Sequence, residues 1–134
     1  MNAGASVGRK MDTRILISTL WLIVILNMMW ADILSLNIPG AAEAVAKTAG
    51  DTPIPLLMLA GAIGVEISTV MIILSRVLQH RLNRILNLVA SVFTLVFIWG
   101  ASSAYPHYTF LASVETICLL LILWKAWKWS SSEA

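Results

Sequence analysis

Four apolar stretches, each long enough to cross a hydrocarbon core, dominate this chain: residues 15–36, 55–78, 82–99 and 108–127. A crossing takes roughly 20 helical residues at about 1.5 Å each. Inside lipid the backbone must satisfy its own hydrogen bonds, and a helix does so within one segment. The balance of residues agrees, since 59% of the 134 are hydrophobic and 12% charged, outside the range of ordinary soluble domains, and the four spans leave almost nothing over for one. The expected fold is therefore all-α, a four-transmembrane-helix bundle. Residues 1–13 read as a disordered cytoplasmic N-terminal extension, 14–129 as the membrane domain and 130–134 as a short tail. Arg9, Lys10 and Arg14 ahead of the first span superficially suit a signal peptide. The apolar run is too long for one and lacks a small-residue cleavage site, so it reads as a retained signal anchor.

Charge sets the expected orientation. Eight of the nine Lys and Arg residues fall at one end of the spans: Arg9, Lys10, Arg14, Arg76, Arg81, Arg84, Lys125 and Lys128, with Lys47 alone at the other. Basic residues in short loops stay on the cytoplasmic side, so both termini are expected on the cytoplasmic side of a cell membrane, the bacterial inner membrane. Trp124, Trp127 and Trp129 at one end of the last span, and Tyr105 and Tyr108 at the other, fit the aromatic belts of the two interfaces. Arg76, Arg81 and Arg84, with His80 between them, are expected to attract anionic lipid headgroups. Nucleic acid is not an expected partner for so short a loop.

Between the first two spans, Asn37-Ile38-Pro39-Gly40 breaks the helix. Ala41 to Ala49, with Glu43 and Lys47 four apart, predicts a short surface helix. Thr52 is the expected N-cap of the second span with Pro53 at its first position, and Pro106 starts the fourth. Span two carries Ala60, Gly64 and Ser68 at four-residue intervals, a small-residue face that lets another helix approach. Span three carries Asn83, Asn87, Ser91 and Thr94, a polar stripe that should face protein rather than lipid. Arg14-Ile15-Leu16 and Arg84-Ile85-Leu86, with Val65-Glu66 and Val114-Glu115, hint at two parallel hairpins related about the membrane normal.

Chemistry is expected from the acids. An ionisable residue at the centre of a span costs on the order of 2.5–3.5 kcal/mol on insertion scales and marks function by default. Asp32, Glu66 and Glu115 are so placed. Counting along the helices puts Asp32 about 6 Å below its outer end, Glu66 about 16 Å down and Glu115 about 11 Å down, with Asn27 deeper than Asp32. No Lys or Arg shares those depths. Two such acids side by side would share a proton and titrate as a pair. Asn27, Asp32, Glu66 and Glu115 are thus expected to form one outward-facing polar pocket for a proton, a cation or a proton-coupled solute. The structural alternative is that each acid only locks helices together through a neighbouring hydroxyl, and Asn87 and Ser91 are read as packing groups of that kind.

Other chemistry is thinly provided for. Cys118 is a lone cysteine inside the fourth span, so there is no internal disulfide and no Cys-x-x-Cys pair. His107 with Asp32 is a weak metal pair, and no metal is expected. No nucleotide loop, nucleophile triad or haem motif occurs. An enzyme is therefore the less favoured class.

From Met11 to Trp129 the chain resembles an uncharacterised bacterial family of small four-helix membrane proteins, a domain of unknown function. The residues that carry the likeness are Met11 to Trp21, Leu26-Asn27-Met28, Ala31-Asp32, Val65-Glu66-Ile67, Leu74 to Leu78, Arg81-Leu82-Asn83-Arg84, Glu115 and Ala126-Trp127-Lys128-Trp129. The resemblance implies no activity, and it makes Met11 the expected start of the family's shared region. More loosely the layout is similar to DoxX-type membrane proteins, which implies a quinone as a cofactor or partner in a redox complex. Small multidrug exporters share this size, but their essential Glu sits in the first span, where this chain offers Asn27 and Asp32. A third expectation is an accessory role, with another membrane protein or a second copy docking on the Ala60/Gly64/Ser68 face.

Overall fold

The computed structural model describes residues 11–130. Five helices follow one another: α1 (Thr13–Leu36), α2 (Ala41–Ala49), α3 (Ile54–Val77), α4 (His80–Gly100) and α5 (Pro106–Lys128), with no strand among the described residues. All but α2 are long and apolar enough to cross a membrane. Their boundaries lie within two residues of the predicted spans. The N-terminal extension is outside the described residues except for its last three positions, of which Thr13 already begins α1; residues 131–134 of the tail lie outside as well.

Local chemistry sets the ends. Asp12 caps α1, its Oδ1 accepting from the Arg14 backbone N–H at 2.9 Å. Gly40 takes a left-handed φ of 83° to turn the chain into α2, the short helix predicted from the Ala-rich run. The start of α3 differs from expectation. Pro53, not Thr52, is its N-cap, and Pro55 falls in the first turn. Thr52 is committed elsewhere, its backbone N–H donating to Ala49 O at 2.9 Å to close the turn after α2.

The long helices form a ring in which α1 lies between α3 and α5, and α4 closes the opposite side against the same two neighbours. The outside of the ring is apolar, with Leu56, Ile63, Ile73, Val89, Val96 and Phe110 among its most exposed side chains. Those groups are at ease in lipid. Lipid tails give apolar side chains no reason to leave for the interior, so packing and polar contacts hold such a bundle together. The interior is accordingly mixed. Ile17, Trp21, Val24, Leu119 and Ile122 are fully buried, and so are Ser18, Ser68, Ser75, Asn83, Asn87, Ser91 and Thr94.

The polar stripe of α4 faces this interior. Asn87 is its hub: its Oδ1 accepts from Trp21 Nε1–H at 2.7 Å and from Ser75 Oγ at 3.2 Å, while its Nδ2 donates to Asn83 O at 2.9 Å and Asn83 Oδ1 at 2.7 Å. Asn83 Nδ2 in turn donates to Ser75 O at 2.7 Å. One side chain thus joins α4 to α1 across the ring and to α3 beside it. Further along, Ser68 and Thr94 meet hydroxyl to hydroxyl at 3.2 Å. Gly64 lies under the Phe97 ring, where a Cβ would overlap the aromatic carbons. Gly64 and Ser68 are therefore already covered by α4, and Ala60 is the one exposed member of that face. The face expected to take a partner is spent inside the chain.

Candidate functional site

The packed side of α5 is a stripe of Ala112, Glu115, Cys118, Leu119, Ile122 and Ala126, spaced three and four apart as one helix face requires. Glu115 belongs to that stripe and is 2% exposed. Among the described residues its carboxyl group takes part in no hydrogen bond and no ion pair. A buried acid without a donor or a cation is costly, and native structures rarely keep one without a use for it. The charge balance offers no remedy nearby, since every Lys and Arg of the bundle except Lys47 stands at the far end of the helices.

Asp32 and Tyr108 stand at the same end of the bundle as Glu115, the end away from the basic residues other than Lys47. Asp32 lies on α1 four residues from its end, exposed at the rim of the bundle. Around it the mouth is tied by two hydrogen bonds. Ser35, one turn beyond Asp32, donates its hydroxyl proton to Ala31 O at 2.7 Å, so at 3.0 Å it can only accept from His107 Nε2. Tyr108 OH donates to Ile98 O at 3.0 Å and pins α5 to α4. The resulting order, counted down from the rim, is His107 with Ser35, then Asp32, then Glu115 about three turns into α5. This gives one buried acid with a single exposed acid above it.

Two of the four residues expected in this pocket lie elsewhere. Glu66 is exposed on α3 and lines an open groove of about 510 Å³ between α3 and α4, whose other walls include Ile63, Ile67, Val70, Val89 and Phe93. It faces outward because Gly64 and Ser68 face inward. Two positions along a helix turn through roughly 200°, which puts Glu66 opposite both. Asn27 is half-buried and its Nδ2 donates to Ile23 O of its own helix at 2.8 Å. Five positions, or roughly 140°, separate it from the face that Asp32 occupies. The single four-residue cluster read from the sequence is therefore not formed, and of its members Asp32 and Glu115 remain at one end of the bundle, the first exposed and the second buried. Glu66 and Glu115, matched by the apparent repeat, sit in unlike surroundings.

Three site residues gained roles that the sequence reading had not given them. Tyr108 was an interfacial anchor, Ser35 was not singled out, and His107 was a weak metal partner for Asp32. The structure sets His107 against Ser35 instead. Among the described residues no group of three or more His, Cys, Asp or Glu side chains is placed to hold a metal ion. Depth carried the missing signal: Asp32 near the end of the first span and Tyr108 near the start of the fourth share a level, and Ser35 follows Asp32 by one turn.

Residues 8–134 match a family of unknown function, DUF6326. No curated protein and no solved structure matches the chain.

Proposed function

The chain belongs to the family of unknown function DUF6326, and we propose that it is a multi-pass membrane protein that exchanges a proton for a small cation at Glu115, with Asp32 as the entry group. One observation carries this reading: Glu115 is buried and, among the described residues, meets no hydrogen-bond donor and no cation. An isolated carboxylate in a medium of low polarity is tolerable in two ways only, by holding a proton or by sitting beside a positive charge from outside. Asp32 stands exposed at the rim where such a charge would arrive. By the distribution of basic residues that rim is the end facing away from the cytoplasm.

The test is proton release. The protein in lipid nanodiscs, held in weakly buffered solution with an indicator dye, is titrated with Na+, with Li+ and with tetraphenylphosphonium. Wild type is expected to release about one proton per chain on binding at least one of these, and Glu115→Gln none. Asp32→Asn should weaken the apparent affinity about tenfold, the loss of one nearby charge in partly screened surroundings. Glu66→Gln should behave as wild type. Release that persists in Glu115→Gln, or that disappears in Glu66→Gln alone, would overturn the assignment.

A further inference from the structure

At the basic end of the bundle, far from the carboxylate pair, the cations are not equivalent. Arg76 donates from Nε to Ser18 Oγ at 2.8 Å, and Ser18 passes its own proton to Ile72 O at 2.8 Å, so this guanidinium binds α3 to α1. Arg84 lies over the Trp127 ring at 5.9 Å. Arg14 lies over the Trp129 ring at 6.0 Å. Lys125 and Lys128 differ from these. Their ammonium groups converge on one indole, 5.1 and 5.0 Å from the Trp124 ring centroid, and among the described residues no carboxylate pairs with either. Asp12, the one described carboxylate at this end, is occupied in capping α1.

The two lysines line a cavity of about 280 Å³ together with Thr13, Trp124 and Trp129. Trp129 was expected to be an interfacial anchor, yet it is 2% exposed. His80 holds it, meeting the indole edge to face at 5.0 Å with its Nε2 3.2 Å from Trp129 O. The Arg14 guanidinium also stands over the ring, 6.0 Å from its centroid. Fixed in this way, Trp129 keeps a buried indole N–H that has no acceptor among the described residues. The cavity therefore combines the Thr13 hydroxyl and the Trp129 ring with two ammonium groups that meet no carboxylate among the described residues.

We infer that this cavity binds the phosphate of an anionic phospholipid headgroup. Phosphate oxygens are the acceptors such a donor set lacks. A lipid rather than a free phosphate is favoured by what runs along α5 beside the cavity. Ile117, Leu121 and Trp124 lie four and three apart on one face, and all three are exposed, which gives an acyl chain a track leading from the phosphate into the hydrocarbon.

Native mass spectrometry of the full chain released from detergent micelles tests this, with phosphatidylglycerol, phosphatidylcholine and inorganic phosphate as probes. Phosphatidylglycerol is expected to be retained one per chain and phosphatidylcholine not. The double variant Lys125→Ala/Lys128→Ala should bind phosphatidylglycerol about 25-fold more weakly, roughly fivefold per surface lysine. Arg81→Ala, an exposed cation outside the cavity, should leave it within about twofold. Neither lysine belongs to the packed stripe of α5, and an unchanged melting temperature of the double variant verifies that its fold is intact. Wild-type retention in the double variant overturns the inference. So does an equal loss in Arg81→Ala, which would mean diffuse attraction, and so does displacement of the lipid by millimolar inorganic phosphate.

Discussion

Asn87→Leu is expected to lower the unfolding free energy by about 3 kcal/mol, the largest loss of any single polar substitution in the bundle. Leucine cannot accept from Trp21 Nε1 or Ser75 Oγ and cannot donate to Asn83, so groups from three helices are orphaned together. Each buried polar group left unpaired costs about 1–3 kcal/mol in water-soluble proteins. Interhelical hydrogen bonds inside membranes average nearer 0.6 kcal/mol, which holds the sum to about 3. Thr94→Val supplies the contrast. It removes one hydroxyl contact, to Ser68 at 3.2 Å, and should cost under about 1 kcal/mol. Unfolding in mixed micelles of rising sodium dodecyl sulfate reads both. Equal losses for the two variants would show that Asn87 is no hub.

Glu115→Leu is expected to move stability the other way, raising it by about 2 kcal/mol. Leucine has one side-chain heavy atom fewer than glutamate and suits a stripe otherwise made of Ala112, Cys118, Leu119, Ile122 and Ala126. A polar group that makes no hydrogen bond returns nothing for its desolvation, and insertion scales put an ionisable residue at a helix centre at about 2.5–3.5 kcal/mol. Stability gained at a residue whose loss abolishes binding is a signature of a site kept for function. The same unfolding assay decides. A destabilised Glu115→Leu would mean that the carboxyl group holds helices together, the structural alternative considered from the sequence.

Much of this architecture was legible in the residues. The spans follow from apolar runs, the short helix from its Ala-rich composition, and the inward stripe of α4 from four polar residues at helical spacing. The neighbours of each helix were not legible, because the small-residue face of α3 marks a packed side without naming the helix that covers it, and α5 is apolar nearly all round and carries no mark of which side faces in. Asn87 could be placed on the interior side, but its reach to Trp21 across the ring depends on α1 and α4 standing opposite one another.

Glu66 is the instructive case, since its depth was counted while its direction was assumed. Gly64 and Ser68 had been assigned to a packing face, and that assignment alone turns Glu66 the opposite way. The two readings conflicted within five residues of sequence, and the close contact of Gly64 with Phe97 resolves the conflict. Trp129 failed differently. Nothing in its own neighbourhood distinguishes it from Trp124 and Trp127, and its burial comes from His80 and Arg14, each more than forty residues away along the chain.

Infrared difference spectroscopy of the carboxyl stretching region, recorded across pH on the protein in lipid, tests the Asp32–Glu115 pair most directly. One band should vanish in Glu115→Gln, and in Asp32→Asn that band should remain but titrate at a different pH, while Glu66→Gln leaves both its position and its titration untouched. A Glu115 band indifferent to the loss of Asp32 would contradict the pairing on which the proposed exchange depends.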